Sequence, residues 1–174
     1  MANFPEKIND YKIYVNQKPE LRGIGDLQLP SFDALTESVN AAGILGEIEI
    51  PIFGQFSSMK FVINWTMITD EITTFLQTGN LTIDARVANQ EHDTTQGESK
   101  FVPQRVFVRG KATKNDFGKV AKGQGYEGST EVEVTYIKIE RNGVTMVELD
   151  KLNYIYKVNG EDQLKGLRAA LGMS

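Results

Sequence analysis

The sequence predicts a mainly β protein of antiparallel strands with two short helices. Alternating apolar and polar or β-branched runs recur along the chain, Gly, Pro, Asn or Ser bound them, and only two stretches carry apolar residues at helical spacing. At 174 residues, with 40% apolar and 24% charged side chains, usage is ordinary for a globular chain, and one domain over residues 1–174 is expected.

The first strands expected are Tyr11 to Asn16 and Asp26 to Pro30. The next, Glu47 to Phe53, contains GEIEIPI, which puts Glu47 and Glu49 on one side and Ile48, Ile50 and Ile52 on the other. The isoleucines belong in a core; a strand facing bulk water accounts for the two carboxylates. Met59 to Trp65 follows, with Asn64 on its polar side. A helix is then expected over about 69–79. Thr69 serves as its N-cap, Asp70 and Glu71 sit in the first turn where the dipole favours anions, Ile72, Phe75 and Leu76 form its stripe, and Gly79 is its stop. Leu81 to Val87 reads as a half-buried strand, with Thr82, Asp84 and Arg86 on its wet side. Arg105 to Ala112, Glu131 to Glu140 and Thr145 to Val158 complete the strands. A second helix is expected over about 161–171, capped by Asn159, striped by Leu164, Leu167 and Leu171, and stopped by Gly172. Asn89 to Lys100 and Lys114 to Ser129 are polar, Gly-containing and read as long loops.

The net charge of −4 argues against a protein built to grip nucleic acid, which needs clustered cations. With no cysteine there is no disulfide framework and no thiolate chemistry. Pro5, Glu6 and Asp10 stand where a secretion signal needs an apolar run, so the chain is expected to stay in the cytosol, with no stable membrane association.

Signals for chemistry are weak. Gly123, Gly125 and Gly128 spell a dinucleotide fingerprint, but the motif precedes a strand where it should open a helix. His92, the one histidine, reads as a solvated loop residue beside Glu91 and Asp93, too few firm ligands for a metal. Lys111, Lys114, Lys119 and Lys122 form a basic stretch that reads as a wet face, or as a dock for an acidic partner. Glu131 and Glu133 again set two acids on one face, but paired-carboxylate hydrolysis of sugars also wants an aromatic platform, and the chain has one tryptophan. No catalytic, cofactor or metal residue is expected.

The carboxy-terminal third carries the most specific pattern. Tyr136, the Asn142-Gly143 hairpin turn, Glu148, Asp150, Asn153, Lys157-Val158-Asn159-Gly160, Asp162, Leu164 and Leu171-Gly172 together resemble the closing segment of major tail tube proteins of contractile phage tails and related R-type bacteriocins. Upstream, Tyr11 to Asn16, Gly23-Ile24-Gly25 with Leu27 to Pro30, Asn40 to Gly43 and the two strands around Phe53 to Trp65 follow the order of that family. Where the family has Asn-Gly after the first strand, this chain has Asn16-Gln17.

The resemblance implies two packed antiparallel sheets, sandwich- or barrel-like, in a subunit that forms six-membered rings stacked into a hollow tube. The work is structural, without catalysis or cofactor. Implied partners are copies of itself, the tail sheath, a tape measure protein inside, and baseplate and tail terminator proteins at the ends, with DNA only as non-specific cargo. The place is the virion tail or a DNA-free bacteriocin particle, assembled in the host cytoplasm. Four strands from each of six subunits, at about 4.8 Å per strand and about 40° of tilt, give a backbone radius of roughly 24 Å. Within such a tube Glu47, Glu49 and Asn64 are the lumen-lining candidates, with Thr82, Asp84 and Arg86 behind them. The rival from another class is a monomeric β-sandwich module that binds carbohydrate.

Overall fold

The computed structural model of the chain describes residues 3–18 and 22–173. In chain order the strands are β1 Asn3–Val15, β2 Ile24–Gln28, β3 Ala34–Val39, β4 Ile48–Phe56, β5 Lys60–Trp65, β6 Leu81–Asp93, β7 Glu98–Asp116, β8 Gly128–Arg141, β9 Val144–Asp150, β10 Ile155–Val158 and β11 Glu161–Asp162. A 3-10 helix spans Asp70–Phe75 and α1 spans Lys165–Ala170. The expected mainly β class, with two antiparallel sheets and a short C-terminal helix, is what the chain adopts, and neither sheet closes into a barrel.

One sheet is long and forked. It runs β1-β6-β7-β8-β9-β10-β11, and β5 with β2 branches from β8. The fork lies on β8 itself: Gly128 to Glu133 pairs with β5, and Tyr136 to Arg141 pairs with β9. β7 follows β8 along both halves, with bulges at Arg109/Gly110 and Ala112/Lys114 that bend the pair. Gly110 is required at this bend, because a Cβ there would lie 2.0 Å from the Glu133 carbonyl oxygen. Folding the β5 branch over the main sheet encloses the core: Ile13 and Val15, Phe61, Ile63 and Trp65, Ile83 and Ala85, Val106 and Val108, Val132, Val134 and Ile137 are all buried. Ile72 and Phe75 of the 3-10 helix plug one end, with the Phe75 ring edge-on to Trp65 at 5.8 Å. Two polar side chains there link to Trp65 in a relay, while the buried Thr69 Oγ1 and Tyr126 hydroxyl have no hydrogen-bond partner among the described residues. Trp65 Nε1 donates to Thr130 Oγ1 at 3.0 Å, Thr130 Oγ1 donates to Asn115 Oδ1, and Asn115 Nδ2 donates to the Phe75 carbonyl.

The second sheet is the β3–β4 hairpin alone. It corrects the expectation that Ile48, Ile50 and Ile52 pack the subunit core: their exposures are 48%, 47% and 39%. Period-two patterning separates two faces of a strand but does not say that the same chain covers either one.

Helix extents also differ from expectation. The first helix, expected over 69–79, is confined to the 3-10 turn Asp70–Phe75, and Thr69 makes no side-chain cap. The second, expected over 161–171, is only Lys165–Ala170, because Glu161 and Asp162 pair with β10 across the Asn159-Gly160 turn. The expected loop 89–100 is mostly strand. β6 and β7 continue to Asp93 and Glu98, and Asp93 closes the turn by accepting from the N–H groups of Thr95 and Gln96. The other loop shortens to 117–127, and the expected run Thr145 to Val158 breaks where Asp150 accepts from the N–H of Leu152 and of Asn153. β3 and the Asn3 to Asp10 part of β1 carry no sequence expectation and are strands.

Candidate functional site

The sequence-derived candidates fall on two different sheets. Cross-strand partners share a face, so the register Ser38↔Glu49 and Thr36↔Pro51 puts Thr36, Ser38, Glu47 and Glu49 on one side of the β3–β4 arm. Ser38 Oγ donates to the Glu47 carboxylate. The register Glu37↔Ile50 and Val39↔Ile48 puts Glu37, Val39, Ile48 and Ile50 on the other side. The arm thus has an acidic, hydroxyl-bearing face and an apolar face holding one carboxylate.

Asn64 is on β5 and donates from Nδ2 to Asp26 on the neighbouring β2. Nothing among the described contacts brings it to Glu47 or Glu49. Chain order nevertheless links them: β2 leads into β3 and β4 into β5, so the two pairs are successive halves of one long interrupted hairpin. Gly54, at φ +73°, lies in the irregular stretch of β4, and a Cβ there would fall 2.3 Å from Leu164 Cδ2. The buried Leu164 therefore seats the arm's base against the carboxy-terminal segment.

Thr82, Asp84 and Arg86 lie elsewhere, on the outer face of the forked sheet. Asp84 is buried beneath two guanidiniums, with Arg105 Nε 2.7 Å from one carboxylate oxygen and Arg86 Nη2 3.0 Å from the other. Burial alone would raise this carboxyl, but hydrogen bonds from Arg105 and Arg86, and their charge, outweigh it and hold Asp84 below the ordinary carboxylate range. Each arginine of this face also lies over a ring: Arg86 on Tyr14 at 5.0 Å, Arg105 on Phe107 at 5.6 Å and Arg109 on Tyr136 at 4.1 Å. The Arg105, Phe107, Arg109 alternation was legible at period two, although the ring partners on β1 and β8 were not.

The remaining motifs resolve into structure. Glu131 pairs with Lys60 at 2.7 Å and Lys114 at 3.5 Å, while Glu133 accepts from Ser58 Oγ and the Met59 N–H. The EVEV acids thus tie β8 to β5 and β7. His92 is half-buried in β6, not in a loop, and no His/Cys/Asp/Glu group that could hold a metal occurs among the described residues.

What the described chain leaves open is its strand edges. β1 pairs only with β6, β2 only with β5, β11 only with β10, and β3 and β4 only with each other. Unpaired edges beside exposed apolar side chains are a template for joining further chain. A second apolar surface lies at the opposite end of β5 from the arm. Met67, Ile68, Leu76, Phe117 and Val120 are exposed there. Their segments are tied together by Tyr126 N–H to Thr66 O and by Asn115 Nδ2 to Phe75 O.

Comparison with known proteins gives a consistent picture. The sequence model for "Phage tail tube protein FII" matches residues 5–172. The chain is similar to the tail tube protein of Escherichia phage P2, at 25% identity over 171 residues, covering 97% of this chain and 98% of that protein. It is also similar to the major tail tube protein of Serratia phage KSP20, at 22% identity over 158 residues, covering 91% and 90%.

Proposed function

The chain belongs to the phage tail tube protein FII family and is a structural component of the phage tail, and on that premise we propose that it acts as a single 174-residue domain that forms six-membered rings stacked into a hollow tube. The observation that carries this reading is the β3–β4 arm, whose two outer edges are unpaired and whose isoleucine face is bare. Unpaired edges beside exposed apolar side chains are templates for pairing with another chain. Closure around a ring satisfies the edges, and head-to-tail stacking of rings propagates into an open filament. In this reading the interrupted hairpin β2–β3/β4–β5 supplies four strands to the tube wall, and the face with Glu47 and Glu49 looks into the bore. Asn64, beside Asp26, is the second bore position. Lys60 shares the Asn64 face of β5 but is paired with Glu131 at 2.7 Å, so a wall rich in carboxylates and amides offers DNA few free cationic contacts and cargo passes with low friction. The neighbours that follow are a sheath outside, a tape measure within, and baseplate and terminator proteins at the ends. The same tube serves an infectious tail or a DNA-free contractile particle.

Negative-stain microscopy and light scattering of the purified chain at rising concentration test the reading. Rings or rods are expected, and Glu47→Lys with Glu49→Lys leaves them intact if that face looks into the bore. Collapse of assembly in the double variant would move the two carboxylates to an interface. A persistent monomer with a sugar-induced thermal shift would favour the carbohydrate-binding module instead.

A further inference from the structure

The β3–β4 arm is bare along its length but held on several sides at its base. Its strands join the body through residues 29–33 and through Ser57 to Met59, and the Ser57 N–H donates to the Asp33 carbonyl at 2.9 Å, which keeps the two connectors together. Three side chains of the carboxy-terminal third meet them there. Lys151 Nζ donates to the Ser57 carbonyl at 2.8 Å. The Phe56 ring lies edge-on to both Phe32 and Tyr156. The buried Leu164 fills the space left by the missing side chain of Gly54. From β8, Glu133 accepts from Ser58 Oγ at 2.6 Å and from the Met59 N–H at 3.3 Å.

These groups are themselves tied down. The Lys151 N–H donates to the Thr135 carbonyl at 3.0 Å, and its side chain is only 23% exposed. Burial holds this lysine below its ordinary pKa, against the opposing charge of Glu133 3.9 Å away. The Leu164 N–H donates to Asp162, which is paired with Arg168 of α1. A long side chain withdrawn from water and fixed in one rotamer costs both solvation and freedom, and here it fixes one backbone carbonyl of a connector. A ribbon of two strands without such a clamp would sweep many directions and lose that freedom on joining another copy; an arm already fixed in direction loses less.

We propose that Lys151 and Leu164 are positioning residues for assembly, which together hold the base of the β3–β4 arm in one direction relative to the forked sheet before any second copy binds. The role in assembly rests on the tube reading. The fixed direction is a property of the single chain.

The chain has no cysteine, so spin labels attach only where thiols are introduced. With labels at Ser38→Cys on the arm and Val144→Cys in the β8–β9 hairpin, pulsed dipolar electron resonance on the unassembled chain reads the distance between them. One narrow distance is expected in the parent and in Lys151→Arg, which keeps a cationic donor. A distribution at least about twice as wide is expected in Lys151→Met and in Leu164→Ala, either of which reports on the clamp if the other fails to fold. Without labels, both of these variants are expected to need at least about fivefold more protein to form rods, at a temperature well below the thermal midpoint of each. A broad distance in the parent, or an unchanged width in both variants, would overturn the clamp. Broadening with no change in the concentration needed for rods would overturn the role in assembly. A parent that holds one narrow distance yet forms neither rings nor rods would refute the tube reading and leave the clamp in place.

Discussion

At the scale of single residues, Asp84 ties β6 to β7 on the outer face. It sits under Arg86 and Arg105, which lie directly opposite one another on β6 and β7, where two like charges would otherwise repel. Its folded pKa lies below the ordinary value of 3.8, so as pH falls the unfolded chain takes up this proton first. The stabilisation is therefore complete above about pH 3.8 and fades as pH drops toward the lower folded value. Asp84→Asn is expected to lower stability by about 1.5–3 kcal/mol at pH 7, the range for hydrogen bonds to charged groups. Urea denaturation of both chains checks it, and the gap between them should narrow at pH 3. An equal gap at both values would mean that charge contributes nothing. Sequence alone placed Asp84 on the wet side of its strand. What it lacked was Arg105, 21 residues away, because a cross-strand neighbour is set by register, which period-two patterning does not fix.

At the scale of elements, the arm is separable from the core. No residue of β3 or β4 is among the buried residues of the core, and only Phe56 at its base packs against them, edge-on to Phe32 and Tyr156. Replacing residues 37–50 by Asn-Gly, so that the pair Thr36↔Pro51 is closed by a two-residue turn, is expected to leave the thermal midpoint within about 5 °C of the parent. Rods should be lost. A large drop in midpoint would show instead that the arm helps to hold its own subunit together. The elements most legible in the sequence were those with one buried and one wet face, such as Leu81 to Val87, and the Asn142-Gly143 turn, whose residues have φ of 50° and 77°. The least legible carried too few apolar residues to set a rhythm. Residues 3–8 pair with 89–93 beyond most of the core, and Phe4, Pro5 and Ile8 are the only apolar side chains in the two stretches. The GEIEIPI isoleucines erred the other way, with the right rhythm and no partner in the same chain.

At the scale of the whole molecule, a subunit with net charge −4 joining many copies of itself brings like charges together, and association must overcome that. Burial of exposed apolar side chains, such as the isoleucine face of the arm, supplies the non-directional attraction that does so. The two contributions respond differently to salt. Raising NaCl from 0.1 to 1 M shortens the screening length from about 10 to about 3 Å, which weakens the repulsion between like-charged copies but leaves apolar burial nearly untouched. Seeded rod growth followed by light scattering is therefore expected to quicken several-fold in 1 M salt, while rods already formed persist on dilution into the same buffer. Dissolution of preformed rods would mean that ion pairs hold the tube together. Slower growth in high salt would mean that attraction between charged groups of neighbouring copies outweighs the repulsion.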